Sequence, residues 1–297
     1  MSKRTLAILA AIGATVIYGI NHTVAKGVMP GHVKPFGFIF LRVGGAALLF
    51  WLISFFGPKE KIEKRDWGRI LICALLGMSI NMLSFFKGLQ LSTPINSAVL
   101  VTITPIIVVV ISALFLSEKI TLNKGLGIFM GFVGAVGLIL FGAEVRQDAP
   151  NIPLGNFLFI INATSYGAYL VVVKKLIEKY HPFTLMKWLF TVAIVINLPL
   201  TLPEALEIQW SALPLWAYGS IAFVVIGTTF LTYLFNIFAL TQLKASSVGA
   251  FVYMQPLVGI LFALFSGKDE LTLVKIAAMA FVLVGVYLAS KKPKRGS

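Results

Sequence analysis

The sequence predicts an all-α integral membrane protein in which ten transmembrane helices form two inverted five-helix repeats. Three observations lead there: composition, a long internal repeat, and opposite charge in loops that the repeat makes equivalent. Hydrophobic residues make up 58% of the 297 and charged residues only 12%, far from the balance of a soluble domain of this length. The stretch GLQLSTPINSAVLVTITPIIVVVISALFLSEKIT at 88–121 recurs as ALTQLKASSVGAFVYMQPLVGILFALFSGKDELT at 239–272. Placing Pro105 on Pro256 sets a shift of 151 that holds without a gap from Gly68 on Gly219 to Gly134 on Gly285.

Apolar runs near the ~20 residues that cross a ~30 Å hydrocarbon layer fall at roughly 5–28, 35–56, 68–90, 94–116, 124–142, 154–176, 183–202, 214–239, 245–266 and 272–290. They divide into a first repeat at 1–145 and a second at 150–290, followed by a basic tail at 291–297. The first run, behind SKR, has the look of a signal peptide, but its counterpart in the second half assigns it as a helix. The first two helices of each set match less closely than the last three, with Tyr18-Gly19 over Tyr166-Gly167 and Pro35 over Pro182. In each long copy a small polar turn precedes an apolar helix with a proline near its middle. Proline leaves a carbonyl unpaired, and lipid tolerates this only where the backbone faces protein or a water-filled cavity. Pro105 and Pro256 are therefore expected to act as conformational hinges beside a shared cavity.

The net charge is +14, but the basic residues sit in short gaps between apolar runs and form no patch for nucleic acid. They read as orienting charges. One side of the predicted topology collects 17 Lys and Arg residues and the other 6, which puts both termini in the cytoplasm and the protein in the cytoplasmic membrane. Because five is odd, the two sets must insert upside down relative to each other. The loop GPKEKIEKRDW is rich in Lys and Arg, whereas its counterpart TLPEALEIQW has neither and carries two glutamates. Inverted repeats with helix breakers at matched positions are the plan of alternating-access carriers, with substrate near the midplane. Cys73 is the single cysteine, so no disulfide or paired thiol chemistry arises within one chain. No cofactor, metal or catalytic residue is expected. The partners expected are a small-molecule substrate and the bilayer, with the chain a monomer or a homodimer. The glycine ridge Gly127, Gly131 and Gly134, with its match Gly285, permits close helix approach within a chain or between chains.

Several of these segments together resemble a known family. YGINHTVAK in the first helix, Arg42 in the second, the pattern F-x-x-L-x-x-S-x-x-x-N-S-A ending at Pro105, the SEKIT corner and G-x-x-x-G-x-x-G-x-x-G from Gly127 to Gly137 are similar to EamA-type members of the drug/metabolite transporter superfamily. The resemblance implies a ten-helix exporter or uptake carrier for small metabolites, often amino acids, with the fifth and tenth helices as scaffold. The chain departs from the small multidrug members of that superfamily in having no acid in its first helix.

All eleven acidic residues, from Glu60 to Glu270, lie in loops or at helix ends. Proton-coupled carriers commonly relay protons through buried acids, so facilitated diffusion or exchange is expected. At ~1.5 Å per residue, Asn81, Thr102, Thr104, Tyr166, Tyr253 and Gln255 fall near the middle of the bilayer and form the expected substrate belt. Under the shift of 151, Asn81 overlays Thr232, Phe85 overlays Asn236, and Thr102 overlays Tyr253. Arg42 lies ~10 Å inside the second helix, where an arginine is costly; it could hold a carboxylate in a bidentate pair, with Asn21 and His22 at similar depth. Trp188 joins the tyrosines as a candidate pocket wall for amphipathic solutes. Each of these groups could instead serve helix packing, and Arg42 could snorkel outward. An organic-anion or sugar-phosphate exchanger using Arg42 and Lys187 is the alternative carrier. An intramembrane enzyme is disfavoured by the lack of a recognisable acid pair, metal-spaced set or Ser/His couple, and a non-transporting scaffold by the enclosed cavity.

Overall fold

The computed structural model describes residues 2–116, 122–141, 147–242 and 254–290. These form ten helical segments: α1 Lys3–Val28, α2 Pro35–Ser54, α3 Lys64–Leu91, α4 in two pieces Pro94–Val101 and Thr104–Leu116, α5 Leu122–Phe141, α6 Ile152–Ile177, α7 Pro182–Leu206, α8 at 215–242, α9 Gln255–Phe265 and α10 Leu273–Ser290. Seven of them are long and apolar enough to cross a bilayer, and α5, α9 and α10 contribute shorter apolar helices. Proline opens α2, α4 and α7, at the position where its missing N–H removes no bond and its fixed φ suits a helix start.

The helices are interrupted at matched places. α3 contains a π-helical turn at Leu75–Ile80, and α8 contains one at Phe223–Leu231; the shift of 151 carries the first onto 226–231, inside the second. α4 breaks at Thr102 and Ile103, so that its second piece starts at Thr104. The equivalent residue of Thr104 is Gln255, where α9 starts. The prolines expected in mid-helix thus stand in the first turn of a new helix, where no N–H is demanded of them. Thr102 and Thr104 turn their hydroxyls onto the carbonyls of Val99 and Val101, at 2.5 and 2.8 Å, replacing bonds lost at the break.

Packing obeys the same two-fold relation. α1 lies against α8 and α9, as α6 lies against α3 and α4; α2 pairs with α7, and α5 with α10. A Cβ on Gly19 would meet Val258 at 2.7 Å, and a Cβ on Gly167 would meet Ile107 at 3.0 Å; Gly167 and Val258 are the repeat partners of Gly19 and Ile107. The glycine ridge closes the α5–α10 pair inside one chain. A Cβ on Gly134 would stand 2.9 Å from the Ala278 carbonyl, and one on Gly285 would stand 2.7 Å from the Gly127 carbonyl.

Loop carboxylates knit the repeats together at helix starts, where unpaired N–H groups and the dipole favour an anion. Glu204 accepts the amides of Phe36 and Gly37 at the start of α2, and Glu60 accepts that of His181 at the start of α7. Glu63 and Asp66 both pair with Lys179 at one end of the bundle, while Lys34 pairs with Glu207 at the other. The 59–66 and 203–210 segments therefore sit on opposite faces, called near and far here, with the start of α1 on the near face. The hydrogen bond from Lys179 holds the Glu63 carboxyl below its ordinary range, so what that pair contributes persists at neutral pH and is lost as pH falls through the lowered value.

Replacing Gly285 with valine forces a side chain into the α5 backbone, an overpacking that costs about 1 to 3 kcal/mol. Thermal unfolding in detergent is expected to move down for Gly285→Val and not for Gly219→Ala, where a Cβ has open space.

Candidate functional site in the bundle interior

The interior site is built around Arg42. Its Nε donates to Thr229 Oγ1 at 2.9 Å, and its guanidinium carbon lies 5.6 Å from the centre of the Phe86 ring, within cation–π range. Tyr18, Tyr166 and Tyr233 stand close enough to interact with the charge electrostatically. These partners come from α1, α3, α6 and α8. Arg42, Tyr18, Tyr166 and Tyr233 are each only half-buried, and the tyrosines' electrostatic contact with the guanidinium groups them in one polar region of the bundle. The two terminal nitrogens of Arg42 meet no hydrogen-bond acceptor among the described residues, and no described carboxylate pairs with it. An unpaired arginine inside a membrane protein is a functional-site signature, and its planar fork fits a carboxylate in two parallel bonds.

The repeat relation exposes how one-sided this site is. Placing Pro35 on Pro182 puts Leu189 opposite Arg42, and the shift of 151 puts Met78 opposite Thr229. Leu189 and Met78 are both buried. The polar pair in one half is thus an apolar pair in the other, so the bundle interior carries this fixed cation on one side only.

The remaining expected residues divide by what their polar atoms already hold. Asn21 is buried and accepts from Thr228 Oγ1 at 3.1 Å; Thr228 precedes the Arg42 partner Thr229, so Asn21 reaches the site through that turn of α8. His22 is buried, 2.8 Å from Ser97 Oγ and edge-on to Phe85, within the packing of α1 on α4. Asn81 and Asn162 exchange amide-to-carbonyl bonds at 3.2 and 2.9 Å, tying α3 to α6 at the end of the π turn. Thr232, its repeat partner, bonds back to the Thr228 carbonyl at 2.7 Å. Both therefore support the matched interruptions. Phe85 is buried among Phe86, Phe159 and His22. Tyr166 stacks on Tyr169 at 5.6 Å. Asn236 and Gln255 are half-buried, and their side chains make no hydrogen bond within the described residues. Thr102 occupies the break in α4. Pro256 is buried in the first turn of α9; of Pro105 only its backbone place is described, and Tyr253 lies outside the described residues.

Trp188 and Lys187 belong elsewhere. Trp188 packs edge-on against Trp51 and Trp67 at 5.6 and 5.0 Å, and Lys187 Nζ lies 4.5 Å from the centre of the Trp51 ring. Together they form an aromatic and cationic belt toward the near end, and the Arg42 cluster has its own partners. Tyr18 and Thr229 were not singled out from the sequence. Tyr18 was visible as the repeat partner of Tyr166, whereas Thr229 sits in an apolar run with nothing but the π turn to mark it.

Beyond the site, buried hydrogen bonds tie the helices together at the far face. Lys26 Nζ is buried and donates to the carbonyls of Leu89, Gln90 and Ser92 at the end of α3 and to that of Asp148, at 2.6 to 3.0 Å. Asp269 Oδ2 accepts the Ile95 amide at the start of α4, while Oδ1 pairs with the fully buried Lys275. Asn96 and Ser92 meet on Asn156 Oδ1. Residues 94–100 are buried throughout.

A model of the EamA-like transporter family matches this chain twice, at residues 5–140 and 153–291. An uncharacterized transporter of Archaeoglobus fulgidus is 28% identical over 88% of this chain and 90% of its own length. The uncharacterized transporter YyaM of Bacillus subtilis is 22% identical over 94% of this chain and 92% of its own. One crystal structure shares the fold with a TM-score of 0.63 at 16% identity, covering 97% of this chain and 98% of that one. The two family matches span nearly the whole sequence, one per half, and the chain belongs to the EamA-like transporter family as a multi-pass membrane transporter.

Proposed function

We propose that the protein carries small carboxylate-bearing metabolites, amino acids and their relatives foremost, across the cytoplasmic membrane by alternating access. The observation that carries this reading is the open guanidinium fork of Arg42, held at Nε by Thr229 and flanked by tyrosines. A substrate carboxylate accepts from the two terminal nitrogens along the free edge, and the aromatic faces and hydroxyls take the remainder, including an ammonium group. The chamber offers no described acid to an ammonium, so carboxylate recognition comes first and the amine is secondary. With the acids at helix ends, transport runs as facilitated diffusion or exchange.

Alternating access follows from how contacts group. α1 with α8 and α9 forms one bundle, α6 with α3 and α4 the other, and the chamber lies between them. The far-face bonds of Lys26, Asp269 and His22 all run from the first bundle or its loop to the second. Rocking the bundles apart there opens the chamber to one side. The two repeats, at 1–145 and 150–290, supply matching halves to each bundle, and the basic loops put both termini in the cytoplasm.

Three outcomes are expected. In proteoliposomes Arg42→Ala lowers uptake of labelled carboxylates by roughly ten- to a hundredfold, the weight of hydrogen bonds to a charged group, while the protein still inserts; undiminished uptake removes the substrate role. Gln255→Ala raises the KM for the same substrate, whereas Asn81→Ala acts on thermal stability by about 0.6 kcal/mol and leaves the KM in place. On a Cys73→Ser background, Lys61→Cys and Gln209→Cys react with a membrane-impermeant maleimide from opposite sides, Gln209→Cys from outside intact cells; labelling of both from one side defeats the inverted topology.

A further inference from the structure

A second cluster of cations lies away from the chamber. On the near face, α3 and α6 border a cavity of about 350 Å³ lined by Arg65, Asp66, Arg69, Lys175 and Lys179. Its one carboxylate is already committed: Asp66 takes Lys179 at 2.5 Å and the Tyr180 hydroxyl at 2.6 Å. Glu63, just outside, holds Arg65 and Lys179, each at 2.7 Å. Arg69 comes no nearer than 3.9 Å to Asp66, and Lys175 has no carboxylate partner among the described residues. Positive charge therefore exceeds negative inside a concave site, with the Lys175 ammonium unpaired among the described residues and the Arg69 guanidinium held only loosely.

The opposite end of the bundle shows that this excess is not a general property of the fold. There a cavity of about 340 Å³ is lined by Lys34 with Glu204 and Glu207, so acids outnumber the lysine. The same helix carries exposed apolar side chains deeper in the membrane: Leu71, Ile72 and Leu75 of α3, two to six residues beyond Arg69, are 52%, 48% and 40% exposed. A headgroup phosphate in the cavity leaves its acyl chains lying along those side chains. Basic pockets between transmembrane helices are suited to anionic lipid headgroups, and Arg69 can grip a phosphate through two nitrogens.

We infer that the cavity formed by Arg65, Arg69, Lys175 and Lys179 binds the phosphate headgroup of an anionic phospholipid from the leaflet at the near face. This site is independent of the substrate chamber and of whatever the chamber carries. A bound lipid bridges α3 and α6 at the base of one bundle, so it bears on the bundle that must move during transport.

Native mass spectrometry of the purified full-length protein tests it, counting lipid retained from micelles doped with phosphatidylglycerol or phosphatidylcholine. Phosphatidylglycerol is expected to be retained over phosphatidylcholine. Retention should fall about fivefold for each charge removed in Lys175→Gln and then in Arg69→Gln with Lys175→Gln, and remain unchanged in Lys34→Gln. Lys175 is exposed, so its variant keeps the fold, which a monodisperse size-exclusion peak verifies. Equal retention of the two lipids, or wild-type retention by the double variant, overturns the proposal. Displacement of phosphatidylglycerol by inorganic phosphate alone also overturns it, assigning the cavity to a soluble phosphate.

Discussion

The requirement that no backbone polar group be left bare in hydrocarbon governs the whole structure. Ten regular helices would meet it without help, because each pairs its own N–H and C=O groups. This protein gives up that regularity at α3, α4 and α8 and so must find replacement partners there. It finds them in side chains from neighbouring helices: Ser165 donates to the Leu76 carbonyl at 2.7 Å, Asn197 to that of Met78 at 3.3 Å, and Asn162 to that of Asn81 at 2.9 Å. In α8 the work is done locally, by Thr229 on Val224 and Thr232 on Thr228. π turns are uncommon and concentrate at functional sites. Here the turn in α8 delivers Thr229 to Arg42, which links the backbone irregularity to the chamber.

Inverted symmetry then explains both what repeats and what does not. Packing contacts repeat faithfully, down to Gly19 with Val258 and Gly167 with Ile107, because each half must complete the other's helix interfaces. Even chemically different pairs occupy the same place: Gly77 closes on the Tyr169 ring, where Thr228 bonds to Asn21 in the other half. A carrier built from identical halves would present a symmetric chamber. Replacing Leu189 and Met78 with Arg42 and Thr229 at one of the two equivalent positions breaks that symmetry at small structural expense, and gives the interior a charged wall without altering the scaffold.

The scaffold was legible in the sequence because it rests on periodic and repeated signals: apolar runs of membrane length, a gapless shift of 151, and opposite charge in GPKEKIEKRDW and TLPEALEIQW. Arg42 was legible because a cation inside an apolar run is conspicuous. Depth along a helix, however, says nothing about which way a side chain points. Asn81 and Thr232 sit at the right depth, yet the π turns beside them consume their hydrogen bonds. Trp188 was placed with the pocket on its amphipathic character, but the neighbours that claim it, Trp51 and Trp67, lie on α2 and α3, far away in sequence. The sequence places the acids only in loops or at helix ends. Glu60, Glu204 and Asp269 cap helix starts across the repeat boundary, an arrangement visible only once the halves interlock.

The distribution of strong and weak interfaces finally shapes how such a bundle can move. The α5–α10 pair closes backbone to backbone around Gly134 and Gly285, and α2–α7 is pinned by carboxylate caps at both ends; neither contact gives way without loss of the bonds that define it. The seal at the far face is different in kind. Lys26 and Asp269 are held by directional bonds to carbonyls and an amide where helices end, and His22 by one to the Ser97 hydroxyl. Water can replace such bonds one for one as the face opens, whereas exposing a packed glycine crossing returns nothing. In the proposed mechanism, a polar seal of this kind parts at the surface while the glycine-packed scaffold pairs stay closed. Under the function proposed above, a substrate carboxylate on Arg42 would offset the cost of carrying a bare cation through that movement, and substrate binding would bear on the bundles through a single side chain.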